Sequence, residues 1–269
     1  MFITFFLEGR FANNLFQYLA TKILQHFLPY HSYSFNEQSN FATLFENQTF
    51  LLLQDLEESK INPSSINYNI QLRGFFQNSL FLLHYFPLIK NILHINNHEN
   101  INKDHTVSSL VKSIESFRTI TEENFNDLFI HIRLDDFSHQ KNNSRVIHYN
   151  SYLNIIKELP FTNIVVIRDL AKTDWERKYL KIFEEELVKM NKNVSYKECD
   201  MLEDFSKMVN CTNLICSNSS YSWMAGLIGI ENKKLIYLPN ITPDGQNFYK
   251  LPNSKTYKIE YLNDTKFYE

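Results

Sequence analysis

The chain has 269 residues, 43% of them hydrophobic and 21% charged, with a net charge of −3. That balance excludes a disordered chain and argues against a dedicated nucleic-acid binder, which is usually basic. Only 5 glycines occur, and neither G-x-G-x-x-G nor G-x-x-x-x-G-K-[ST] is present, so any phosphate must be held without a glycine-rich cradle.

In chain order, the apolar run at 2–7 predicts a first strand. It is too short to cross a bilayer and lacks the flanks of a signal peptide. Phe16, Leu19, Ala20, Ile23, Leu24 and Phe27 recur at helical spacing and predict a helix over 13–27. Residues 30–70 are polar and irregular, with a strand candidate at 49–53. A second apolar helix is expected over 79–93, bent near Pro87. The Asn/His-rich stretch 94–106 reads as a linker, which divides the chain into 1–106 and 107–269, and a helix at 107–117 opens the second half. His94 and His98 stand four apart there, but the polar setting favours a solvated face over a zinc pair.

The second half alternates more cleanly. Strands are expected at 128–132, 163–167, 213–216 and 234–238, with helices at 149–158, 173–190, 202–211 and 220–229. Short apolar strands alternating with helices predict α/β architecture with a parallel sheet covered on both faces. In the helix 173–190, Trp175, Tyr179, Ile182, Phe183, Leu187 and Met190 form one apolar stripe, which is core. Cys199, Cys211 and Cys216 form no C-x-x-C pair, so free thiols in a reducing compartment are expected. With no visible anchor, the expected location is cytoplasmic.

Four segments carry candidate chemistry. Lysines outnumber arginines 20 to 7, so each Arg is a candidate for bidentate anion binding, which Lys does badly. The first segment, Glu8-Gly9-Arg10-Phe11-Ala12-Asn13-Asn14-Leu15-Phe16-Gln17-Tyr18, lies where the first strand turns into the first helix. Ligands bind at such strand ends in open α/β sheets. Asn13, Asn14 and Gln17 suit sugar hydroxyls, with ordinary helix capping as the bland alternative. The second, Gln71 to Gln77, reads as a Gly turn followed by aromatic core. In the third, His131-Ile132-Arg133-Leu134-Asp135-Asp136-Phe137, an Arg at a strand's carboxyl end can grip phosphate. Asp135 and Asp136 raise a divalent cation as a lesser possibility. A satisfied buried histidine is the alternative for His131. The fourth, Cys216-Ser217-Asn218-Ser219-Ser220-Tyr221-Ser222-Trp223, puts hydroxyls and N–H groups at a helix N-terminus, an anion site without glycine.

In this order, the segments resemble the α-1,2-fucosyltransferase family, with part of the pattern shared by α-1,6- and protein O-fucosyltransferases. Gly9 to Tyr18 is similar to the family's G-[GR]-[LF]-G-N-Q-x-x-Q-Y, with Ala12 for Gly and Asn14 for Gln. Residues 131–137 resemble H-x-R-R-G-D-Y, keeping Arg133 and Asp136 but carrying Leu134 for the second Arg and Asp135 for Gly. Arg168-Asp169-Leu170 keeps one Asp of S-D-D. Gly74 to Gln77 resembles G-Y-F-Q. Residues 217–223, then Met224, are close to S-N-S-S-F-S-W-W.

The resemblance spans residues 3 to about 238. It implies a GT-B-like fold of two Rossmann-like domains facing a cleft, with 1–106 on the acceptor side and 107–269 binding the nucleotide sugar. It implies an inverting, metal-independent transfer of L-fucose from GDP-fucose to a glycan hydroxyl, with no cofactor. The implied catalytic residues are Arg133 with Asp136 or Glu8 as base. Arg10, Asn13, His131, Arg133, Asp169, Ser217, Asn218, Ser219, Ser220 and Ser222 would bind the donor, and Asn14 and Gln17 would face the acceptor. Leu134 keeps two alternatives open: a same-fold transferase for another nucleotide sugar, or a non-catalytic relative that binds sugar nucleotide or glycan.

Overall fold

The computed structural model describes residues 1–5, 11–33, 41–94, 126–134, 145–197, 200–240 and 250–262. The chain divides into two compact units, Met1–Glu115 and Ser116–Glu269. This division and the expected one after 106 both fall within 95–125, outside the described residues. So do the expected helix 107–117 and His98.

The N-terminal unit contains β1 (Phe2–Phe5), α1 (Phe11–Phe27), β2 (Ser32–Tyr33), β3 (Phe41–Phe45), α2 (Glu46–Glu57), β4 (Asn69–Arg73), α3 (Ser79–His84) and α4 (Phe86–His94). Among the described residues its sheet has four parallel strands in the order β2-β1-β4-β3. Helix α1 is buried on most of its circumference, with Leu15, Phe16, Leu19, Ile23 and Leu24 fully covered.

The stretch 49–53, expected as a strand, lies inside α2. Thr49, Leu53 and Leu56 are buried there while Leu51 is 62% exposed, a helical rather than alternating pattern. A short apolar run cannot be typed by hydrophobicity alone, and the amide of Phe45, held by Gln48 Oε1 at 2.9 Å, starts the helix. The bend expected at Pro87 falls at Tyr85, between α3 and α4. Pro87 is the second residue of α4, where no N–H is needed.

The C-terminal unit contains β5 (Asp127–Ile132), α5 (Tyr149–Ile156), β6 (Asn163–Arg168), α6 (Asp174–Lys189), β7 (Asn193–Lys197), α7 (Met201–Asn210), β8 (Asn213–Ile215), α8 (Ser220–Ile228), β9 (Leu235–Pro239) and β10 (Lys255–Tyr257). Among the described residues its sheet has six strands, all parallel, in the order β10-β9-β8-β5-β6-β7. Counted from β5 and read from the β7 edge, this is 3-2-1-4-5-6, the order of a doubly wound nucleotide-binding sheet. The architecture is therefore α/β with parallel sheets, compatible with a Rossmann-like fold.

Strand β5 is buried along most of its length, as a central strand covered on both faces must be. Leu128, Ile130 and Ile132 pack with the α6 stripe of Trp175, Tyr179, Phe183 and Leu187 in one core. Helix α6 starts at Thr173, whose Oγ1 accepts from the Glu176 amide at 3.2 Å. The Glu176 carboxylate in turn accepts from the Thr173 amide at 2.8 Å. Leu134, where the resembled family has a second Arg, is 2% exposed and belongs to this core. An arginine at that position would bury its guanidinium among aliphatic side chains at a large desolvation cost.

Candidate functional site

The strand order of the C-terminal sheet reverses between β5 and β8, which pair directly through Ile130 and Ile215. At such a switch point the connections leave toward opposite faces and open a crevice at the strands' carboxyl ends. His131, at the end of β5, and Ser217, just after β8, meet there. His131 Nδ1 lies 2.7 Å from Ser217 Oγ. His131 is 3% exposed. Burial, followed by the positive charge of Arg133, pushes its pKa down to about 3, so the imidazole is neutral at ordinary pH. Two buried tyrosines brace the pair from the core: Tyr152 donates to the His131 carbonyl at 3.4 Å and Tyr257 to the Cys216 carbonyl at 2.7 Å.

Arg133 follows β5, and Asp169 follows the neighbouring β6. Their register partners, Ile132 and Arg168, are paired. Arg133 Nη1 lies 3.3 Å from Asp169 Oδ2. The arginine side chain is only 12% exposed, whereas Asp169 is 46% exposed. The carboxylate thus holds the guanidinium at the carboxyl ends of β5 and β6.

The Ser-rich turn leads into α8. Ser219 Oγ caps the helix by accepting from the Tyr221 amide at 3.3 Å. Ser222 is fully buried, and its hydroxyl donates to the Ser219 carbonyl at 3.2 Å. Ser217, Asn218 and Ser219 are also buried, while Ser220 is half-buried. Asn218 Nδ2 donates to the Arg145 carbonyl at 2.8 Å, and its buried Oδ1 has no hydrogen-bond partner among the described residues. The sequence pattern suggests a row of ligand-facing hydroxyls. The folded turn instead uses Ser219 and Ser222 in its own cap.

Sequence reasoning missed Asp204. It lies on the buried face of α7 with Phe205, Met208 and Val209. Burial chiefly pushes its carboxyl up to about 6. Lys207 opposes this, while Glu203, Asp169 and Asp200 add like charge. Its buried Oδ1 has no hydrogen-bond partner among the described residues. Tyr221 stacks between Phe205, at 5.3 Å, and His131, at 5.5 Å, linking α7 to the strand end. An acid on the apolar stripe of an amphipathic helix was the signal available in the sequence.

In the N-terminal unit, the first and second sequence segments are joined by hydrogen bonds of side-chain amides. Gln17 is fully buried, and its Nε2 donates to the Gly74 carbonyl at 3.0 Å. Gln17, expected to face an acceptor, therefore has its amide directed into the fold. Asn13 Oδ1 accepts from Gln77 Nε2 at 2.6 Å. Asn14 is half-buried, and its Oδ1 has no hydrogen-bond partner among the described residues. Ala12 lies in α1 and is not among the residues with positive φ, so no glycine is required there. Glu8, Arg10, Asp135 and Asp136 lie outside the described residues, as does Cys199. Cys211 and Cys216 are free and buried.

Among the described residues, no group of three or more His, Cys, Asp or Glu is placed to hold a metal ion. Among them, too, no helix is long and apolar enough to cross a membrane. No protein-family model, curated protein or solved structure matches the chain.

Proposed function

We propose that the chain is an inverting glycosyltransferase that moves L-fucose from GDP-fucose to a hydroxyl of a glycan. The observation that carries this is that β5 and β8, neighbours at the switch point of a Rossmann-order sheet, are followed by Arg133, held by Asp169, and by the Ser217–Ser220 helix start, with His131 and Ser217 in hydrogen-bond contact between them. Both features suit a diphosphate: one bidentate cation, and backbone N–H groups at the positive end of a helix dipole.

In the proposed reaction the bond between the sugar's anomeric carbon and the diphosphate oxygen breaks, and its electron pair leaves with GDP. Arg133 and the α8 N-terminus stabilise that developing charge by fixed electrostatics. The acceptor oxygen bonds to the opposite face of the anomeric carbon and gives up its proton to a carboxylate, Asp136 or Glu8. The N-terminal unit would supply the acceptor side across a GT-B-like cleft, and no metal ion takes part.

Arg133→Ala should abolish most turnover of GDP-fucose while leaving the melting temperature close to that of the unmodified chain. Unchanged turnover would overturn the mechanism. EDTA should leave the activity intact. Leu134, buried in the core, favours a second reading: a relative that binds a sugar nucleotide or glycan without transfer, or one that uses another nucleotide sugar. Thermal-shift measurements with GDP-fucose, GDP-mannose, UDP-sugars and GDP separate these. Stabilisation by a UDP-sugar but not by GDP would reject the donor assignment.

A further inference from the structure

The carboxyl edge of the N-terminal sheet has a second set of features that the donor site does not use. Strands β3 and β4 end side by side, with Phe45 in register with Arg73. Beyond Arg73, the residues 74–77 are clamped at three of their four positions. The Gly74 carbonyl accepts from Gln17, the Phe76 amide donates to Glu46 Oε2 at 3.1 Å, and Gln77 donates to Asn13. Gly74 has φ +133° and Phe76 has φ +55°. The phenylalanine accepts a conformation that suits glycine far better, and its ring is fully buried edge-on to Phe50 at 6.0 Å. The fourth position, Phe75, is left pointing outward at 43% exposure, and Phe45, at the end of the neighbouring strand, is 55% exposed. Among the described residues, Phe2 is the one other exposed phenylalanine.

A single exposed apolar side chain needs no explanation. Here two rings share one rigid edge with a carboxylate. Glu46 follows Phe45 directly, and its Oε2 would lie 3.2 Å from a Cβ built on Gly74. Glu46 is half-buried, and burial raises its pKa. Flat apolar rings beside a fixed carboxylate and amides match the two-sided chemistry of a pyranose, which has a C–H face and a rim of hydroxyl donors. We infer that this edge is a pyranose-binding subsite: Phe75 and Phe45 receive the C–H face of a sugar, and the Glu46 carboxylate accepts hydrogen bonds from its hydroxyls. Its role as the acceptor subsite rests on the glycosyl-transfer proposal, whereas sugar binding itself does not.

The two tryptophans, Trp175 and Trp223, are buried in the C-terminal unit. Phe75→Trp therefore places a fluorescent reporter at the subsite. The full chain carrying it is titrated with methyl glycosides and disaccharides ending in galactose, glucose, N-acetylglucosamine, mannose or fucose. At least one should change the indole emission saturably. Adding Glu46→Gln or Phe45→Ala should weaken that binding about tenfold. Saturation-transfer NMR on the unmodified chain and on Phe75→Ala gives a second measurement, with signal expected for the first and lost in the second.

Absence of binding by every sugar overturns the inference, as does undiminished binding in the variants. So does a concentration-dependent dimer that Phe75→Ala dissociates, because the rings would then cover a second copy of the chain. Thermal shift with GDP-fucose is run in parallel. Sugar binding without a GDP-fucose shift rejects the donor proposal and leaves the subsite standing. A GDP-fucose shift without sugar binding does the reverse.

Discussion

The carboxyl ends of the two sheets are built from different chemistry. In the C-terminal unit the strand ends of β5, β6 and β8 carry His131 bonded to Ser217, Arg133 paired with Asp169, and a helix start capped by Ser219. In the N-terminal unit the ends of β3 and β4 carry amides, one carboxylate and two exposed rings. The first combines a paired arginine with a helix N-terminus, the features on which the diphosphate proposal rests. The second sets exposed rings beside amides and one carboxylate, the features on which the pyranose proposal rests. One general architecture, the parallel sheet, thus carries two chemically different sets of strand-end residues. The residues at the strand ends set the difference.

That contrast can be broken most sharply at Arg133. Its replacement by Ala should lower donor turnover about a hundredfold or more, the scale seen when one charge-stabilising group is removed from a transition state. Steady-state kinetics with GDP-fucose measures it, and sugar binding at the Phe75 edge should be untouched. Gly74→Ala acts on the other edge. With φ +133° and a Cβ 3.1 Å from that of Glu46, it should cost about 2 kcal/mol in urea unfolding. Nucleotide binding should survive it.

A pH titration of stability sharpens the electrostatic side. His131 has its pKa depressed to about 3 in the fold, so the unfolded chain takes up a proton that the folded chain refuses. Its stabilisation is complete above about pH 6.5 and is lost as pH falls from there toward 3. The loss is about 2 kcal/mol by pH 5. Asp204, raised to about 6, works in the opposite sense and regains stability as pH falls below 6. Urea unfolding at pH 7, 6 and 5 in an Asp204→Asn, His148→Asn background removes the carboxyl and the other histidine shifted downward, and a flat profile would refute the buried neutral state of His131. The smallest effect is the aspartate substitution itself. At pH 7 Asp204→Asn should stabilise the chain by about 1 kcal/mol, once solvent screening is allowed for.

Much of the C-terminal unit was legible in the sequence because its central strands are short, apolar and bounded by capped helices. The expected strands 128–132, 163–167, 213–216 and 234–238 overlap β5, β6, β8 and β9. The misses were edge strands. β7 and β10 each pair on one side only, and polar residues such as Asn193, Ser195 and Lys255 dilute the hydrophobic signal. In the N-terminal unit β3 and β4 were overlooked, although Ile70 and Leu72 alternate with Asn69, Gln71 and Arg73. The segment Gln71 to Gln77 was legible as a Gly turn with aromatic core. That it turns Phe75 outward while burying Phe76 was not, since both are phenylalanine.

The sequence by itself determined the α/β class, the apolar stripe of α6 and the polar clusters at strand-to-helix junctions, because these are local patterns of period and capping. Only the tertiary structure decided which clusters meet. His131 and Ser217 are 86 residues apart, yet 2.7 Å separates their side chains. Gln17 and Gly74 are 57 apart and share a hydrogen bond. The order in which parallel strands assemble brings such groups together, and it follows from packing the whole sheet rather than from any local stretch of chain.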